Sequence, residues 1–206
     1  MPCLMGRNWH CGNGNPSFSM DILTIISRIA SLPSASAHRL AAIASPIALR
    51  RGHLLFRAGR LEHDIYLVSQ GLARVYYHHR ANDVTLCFGM EGDALISLRS
   101  YIQDSPGYEN IELLETSELY RLRIADLHQL YTSDIHIANW GRKLGELELI
   151  KTEERLMSRQ FKSAAERYEE LLKNQPNLLQ RVQLGYIASY LGISQVTLSR
   201  IRAEIR

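Results

Sequence analysis

Apolar side chains in DILTIISRIA, residues 21–30, recur at Ile22, Leu23, Ile25, Ile26 and Ile29, with Leu32 following. Steps of three and four predict an amphipathic helix, inside a helical region over residues 21–44 that carries a Ser/Ala-rich stretch around Pro33. The period then changes. Residues 49–98, LRRGHLLFRAGRLEHDIYLVSQGLARVYYHHRANDVTLCFGMEGDALISL, contain the short β-prone runs HLLF, IYLVS, LARVYYH and VTLCF, separated by Gly or Asn-Asp. Such spacing predicts a small antiparallel roll or barrel, with Gly52, Gly59, Gly71, Gly89 and Gly92 where strands turn. IELLET, residues 111–116, and ELYRLR, residues 118–123, predict a further strand pair.

From Asp134, a candidate N-cap, residues 135–158 read as one long helix with Ile137, Trp140, Leu144 and Leu147 on one stripe. The stripe spans only about two heptads, so it suits packing on its own domain as well as pairing with a twin. These four are the candidate dimerisation residues. Residues 157–161 read as a hinge, and AAERYEELLKN, residues 164–174, begins a separate helical unit that stops at Pro176.

IASYLGISQVTLSRIR, residues 187–202, has the layout of two short helices around a glycine. Such a pair needs a small residue at the crossing, a turn residue tolerant of positive φ, and an apolar lock. Ala188, Gly192, and Ile187, Leu191, Ile193, Leu198 and Ile201 supply them. Ser194 is placed to cap the second helix, leaving Gln195, Val196, Thr197, Ser199 and Arg200 outward. Arg can reach guanine, Gln adenine, Val a thymine methyl, and Ser or Thr phosphates. An ordinary αα-hairpin in a helical subdomain is the alternative reading.

Charge favours the first. The net charge of +3 is modest, but residues 151–206 hold ten Lys/Arg against six Asp/Glu, so the rest is slightly acidic. A basic end on a neutral body suits a polyanion partner. No apolar run approaches the roughly 18 residues of a membrane span, and residues 1–19 lack a secretory core; a cytoplasmic location is expected. Three cysteines fit a reducing compartment. Cys3, His10 and Cys11 fall short of a four-ligand zinc site, and residues 1–19 are expected to be a disordered leader, with Met20 opening the first helical pattern. No phosphate loop, nucleophile elbow or metal constellation is present, and GRKLGE lies inside the long helix; no enzyme is expected. Scattered His53, His63, His78 and His79 with Glu62 and Asp64 read as surface.

Together these features resemble the Crp/Fnr family of bacterial transcription regulators, over residues 21–206. FRAGRLEHDIYLVSQGLARVYY resembles the family's early roll strands, with Gly59 and Gly71 at its two glycine positions. EGDALISL stands where the phosphate-binding cassette would be, and RVQLGYIASYLGISQVTLSRIR resembles the DNA-reading unit. ERYEELLKNQPNLLQRVQLGYIASYLGIS is similar to the branch common in Bacteroidetes. The resemblance implies an α+β chain: an antiparallel β-roll of the double-stranded β-helix or jelly-roll type with flanking helices over residues 20–133, a long dimerisation helix over 134–158, and a C-terminal winged helix-turn-helix over 159–206. It further implies a homodimer on double-stranded DNA, RNA polymerase as a partner, and a small-molecule effector of unknown identity. Any wing would lie before the reading helix, around residues 180–184. A roll protein that no longer binds DNA is the alternative.

Departures from the family pattern narrow the effector. Gly92, Asp93 and Ala94 stand for the family's Gly-Glu-Leu, and Gly107 or Tyr108 for its phosphate-binding arginine, so Gly92, Asp93, Ala94 and Tyr108 are the candidate effector residues. A phosphate without a cation would be poorly compensated, which argues against cAMP. The oxygen sensors hold an iron–sulfur cluster on four cysteines, and this chain has three. Haem could only be nominated to His78, His79 or Cys87, and none of these cofactors is expected. In the reading helix Gln195 and Val196 replace the Arg-Glu of the cyclic-AMP regulator type while Arg200 is kept, so the operator should differ.

Overall fold

The structure, a computed structural model, describes residues 20–80 and 82–205. The expected leader, Cys3, His10 and Cys11 therefore lie outside the described residues. The N-terminal helical region is two helices, α1 (Ile22–Ile29) and α2 (Ser34–Ala42), with Pro33 as the N-cap of α2. Proline suits that boundary because its ring fixes φ and it has no N–H to satisfy.

Eight strands follow: β1 (Ser45–Leu49), β2 (Leu54–Phe56), β3 (Asp64–Gln70), β4 (Ala73–His79), β5 (Asn82–Gly89), β6 (Ala94–Leu95), β7 (Asn110–Leu113) and β8 (Ser117–Arg123). They form two four-stranded sheets, ordered β1-β8-β3-β6 and β2-β7-β4-β5, whose strand pairs are antiparallel. The expected antiparallel roll is present. Strand alternation divides each sheet into two apolar faces. Val68 and Leu119 of the first sheet meet Phe56, Ala73, Ile111 and Leu113 of the second inside the roll. Ile65, Leu67, Tyr120 and Leu122 point the other way, into a core with α1, α2 and the long helix. The tight β3–β4 turn depends on Gly71: its φ is +127°, and a Cβ there would come within 2.1 Å of Ser117 Oγ.

Helix α3 (Leu98–Gln103) lies between β6 and β7, and α4 (Ile124–Ser133) follows β8. The long helix α5 (Ile135–Phe161) opens at Asp134, whose carboxylate accepts from the backbone N–H of His136 and Ile137. Its other oxygen accepts from Ser36 Oγ at 2.9 Å and pairs with Arg39 at 3.0 Å, tying α5 to α2. Helical structure continues through residues 157–161, so the expected hinge is not there; the chain breaks at Lys162 and Ser163. Ser163 starts α6 (Ala164–Asn174) through a reciprocal capping box with Glu166, which satisfies two orphan N–H groups and makes that break sharp.

Two more corrections concern the C-terminal unit and the dimer stripe. Residues 180–184, where a wing was expected, run from α7 (Leu178–Arg181) through extended Val182 and Gln183 into α8 (Leu184–Leu191), and among the described residues no strand follows β8. Ile137, Trp140 and Leu144 are buried in the chain's own core and Leu147 packs against it. Trp140 is fully buried and its indole N–H donates to Ile26 O at 3.0 Å. Truncating it removes a large apolar volume and one of the two donors to that carbonyl, the N–H of Ala30 remaining. Trp140→Ala is expected to cost about 3–5 kcal/mol in urea unfolding, whereas Trp140→Phe should recover much of it.

Candidate nucleic-acid interface

Helix α8 ends in a Schellman arrangement. Gly192 has φ +70°, its N–H reaches Ser189 O at 3.1 Å, and Ile193 N–H reaches back to Ala188 O at 3.0 Å. Glycine is favoured there because the left-handed conformation carries no Cβ penalty. Three residues later α9 (Gln195–Glu204) begins, capped by Ser194 Oγ, which accepts from Thr197 N–H at 3.1 Å. Ala188 lies buried beside Ile187, Leu191, Leu198 and Ile201, the expected lock, in a core shared with Tyr168 and Leu171 of α6. Arg159 and Arg167 donate to the last carbonyls of α8, at Ser189, Tyr190 and Leu191, which satisfies groups the helix leaves open and suits its negative end.

The opposite face of α9 is open. Ser194, Gln195, Val196, Thr197, Ser199 and Arg200 are all exposed, Val196 at 63%. Ser194 and Thr197 hydroxyls are 2.8 Å apart and bond to each other. Arg200 has no hydrogen-bond or ion-pair partner among the described residues, and Arg202 is likewise exposed.

Helix α8 itself is not open. It lies on the outer face of β4 and β5. Ser189 Oγ donates to Asp83 O at 3.0 Å and accepts from Thr85 N–H at 2.9 Å. Phe88 packs on Tyr190 with ring centroids 5.5 Å apart. Arg74, 2% exposed, is held between the rings of Tyr76 and Tyr186, at 4.3 and 3.9 Å, and donates to Thr85 Oγ1 at 2.9 Å. Beside this contact, Arg181 forks onto Glu91 at 2.8 and 3.0 Å and also pairs with Glu115. Of the C-terminal arginines counted toward a polyanion partner, Arg181 is thus already neutralised. The Arg181 cluster was not singled out from sequence, because partners 66 and 90 positions apart leave no local pattern.

The four candidate effector residues do not share a pocket. Gly92 faces the Arg28 side chain, Asp93 pairs with Lys151 of α5 at 2.9 Å and caps Met90 N–H, Ala94 packs toward the α1–α5 core, and Tyr108 is exposed beneath Arg99. What the cassette segment does bring together is Gly107 with Ser97 and Glu109: a Cβ on Gly107 would sit 2.4 Å from Ser97 Oγ and 2.8 Å from Glu109 Oε1. A carboxylate and a hydroxyl, in place of a guanidinium, make a poor seat for a phosphate. Among the described residues no three His, Cys, Asp or Glu side chains assemble as a metal site, and no helix is long and apolar enough to cross a membrane.

Comparison with known proteins gives the class. Residues 46–134 match the cyclic nucleotide-binding domain family. No curated protein sequence matches the chain. Among solved structures, FixK2 from Bradyrhizobium japonicum superposes with a TM-score of 0.70 at 18% identity, covering 79% of this chain and 84% of that one. The c-di-GMP responsive global regulator CLP from Xanthomonas campestris gives 0.67 at 16%, covering 84% and 91%. A crp/fnr family protein from Eubacterium rectale gives 0.67 at 15%, covering 82% of each. The chain therefore carries a cyclic nucleotide-binding-type roll and shares the fold of Crp/Fnr regulators.

The acidic side of the α7 contact is pH-sensitive in a defined direction. Burial pushes the Glu91 carboxyl up, but hydrogen bonds from Arg181 and from Gly71 N–H outweigh it and hold the group below its ordinary 4.5. A carboxylate with a depressed folded value stabilises above the unfolded value and loses that contribution as pH falls through the folded one. Urea midpoints should therefore drop as pH falls below about 4.5, and Glu91→Gln should flatten part of that dependence.

Proposed function

We propose that the chain is a DNA-binding transcriptional regulator of the Crp/Fnr type, acting as a homodimer on a near-palindromic operator in the cytoplasm. The observation that carries this reading is the division of labour in α9: Leu198 and Ile201 are locked into the helix pair, while Gln195, Val196, Ser199 and Arg200 stand free on the other side. In a helix-turn-helix that free face is what enters the major groove. Arg200 would read a guanine, Gln195 an adenine, and Val196 a thymine methyl.

The dimer contact passes to the far half of α5. Leu149, Ile150, Leu156, Met157 and Phe161 are exposed at 47–68%. Leu149 and Leu156, and Ile150 and Met157, are seven positions apart, so they line one side of the helix. A second copy supplies the matching stripe by symmetry, and two-fold pairing sets two reading helices about one DNA turn, roughly 34 Å, apart.

Selection from a random duplex pool should return a two-fold-symmetric site, with or without added cAMP. Arg200→Ala should weaken binding to that site by roughly 10- to 100-fold and relax preference at one base pair per half-site. An unchanged affinity would favour a roll protein that no longer binds DNA. In sedimentation equilibrium, Leu149→Glu with Leu156→Glu should convert a dimer to a folded monomer.

A further inference from the structure

The turn joining β5 to β6 is anchored on both sides by ion pairs to other parts of the chain. Glu91 takes the Arg181 fork from α7 and, through Oε1, the N–H of Gly71 at 2.9 Å. Two residues on, Asp93 holds Lys151 of α5. Its backbone is fastened to the roll as well, because Gly92 N–H donates to Val68 O at 2.8 Å and Val68 N–H to Asp93 O at 2.9 Å. Glu115, on the neighbouring β7–β8 turn, closes the other side of Arg181.

We infer that this acidic turn, Glu91 and Asp93 with Glu115 beside it, is the positioning element of the regulator: it sets the orientation of the reading unit by gripping Arg181 of α7 directly from the roll. The inference rests on the DNA-binding reading above. Its chemistry is that of a bidentate guanidinium–carboxylate pair, which fixes angle as well as distance. Carriers of orientation along the chain alone would have to act through Lys162 and Ser163, where α5 ends and α6 begins. The contact across Arg181, Arg74 and Ser189 bypasses that break. A shift of the β5–β6 turn, which forms the start of the cassette segment, would move α7 and α8 together with the far half of α5.

A positioning role and a direct DNA contact are separated by the number of half-sites bound. In the full-length dimer, Glu91→Gln with Glu115→Gln removes both carboxylates that hold Arg181 and leaves Asp93 and α9 untouched. Affinity for the two-half-site duplex should fall about tenfold, because orientation is no longer set before binding, while affinity for a single half-site stays within about twofold. Amide exchange across α8 should quicken while α1 is unchanged. Equal losses on both duplexes, a gain on the two-half-site duplex, or no change in either would overturn the proposal. Wild-type protein that binds no duplex would defeat the DNA-binding reading and with it this role. The exchange measurement would then still report whether the roll holds α8: unaltered exchange in the variant would show that it does not.

Discussion

A sheet with apolar side chains on both faces must have both faces covered, and that constraint organises the molecule. The inner faces of the two sheets cover each other. The outer face of the first is covered by α1, α2 and the near half of α5. Leu72, Phe88, Met90 and Leu114 on and beside the second sheet are covered by the C-terminal helices. Burying apolar area there also brings in Arg74, whose charge is stabilised by two aromatic faces, Thr85 and Asp83. A desolvated guanidinium without such partners would be costly, so the tyrosines and α8 belong to one arrangement.

Two consequences follow for function. Helix α8 spends one side on the roll and another on α9, which leaves α9 as the helix of the pair with a free polar face. Helix α5 is likewise divided: Ile137, Trp140 and Leu144 are consumed by the core, and the apolar residues from Leu149 to Phe161 are left outside it. Lys151 of α5 to Asp93 and Arg181 of α7, the helix that precedes α8, to Glu91 connect both regions to one short turn. The roll, α5 and the C-terminal helices are therefore mechanically adjacent despite their separation in sequence.

Local signals in the sequence were reliable where local physics decides the structure. The strands at HLLF, IYLVS, LARVYYH, VTLCF and ELYRLR, the Asp134 cap, and the Gly192 turn with its five locking residues are all legible from side-chain period and capping chemistry. Strand β1 was not, since Pro46 disfavours a ladder position; the strand survives at the sheet edge, paired to β8 alone. Two-residue β6 is too short to show a period. Ile137, Trp140 and Leu144, read as a dimer stripe, lie in the chain's own core, because an amphipathic pattern marks which side of a helix is apolar and not what covers it. The candidate effector residues stand apart for a similar reason: the family pattern puts an acid at Asp93, and Lys151, 58 positions away, pairs with it.

The central claim is that the roll holds the two reading helices of a dimer at a set separation. Nitroxide labels on Ala203, at the exposed end of α9, in protein with its cysteines replaced, would report that separation by electron–electron dipolar spectroscopy. A single narrow distance, changing little when operator is added and lying within reach of the roughly 34 Å repeat of DNA, is the predicted result. A broad distribution that narrows only on DNA, or no dipolar coupling at all, would contradict it.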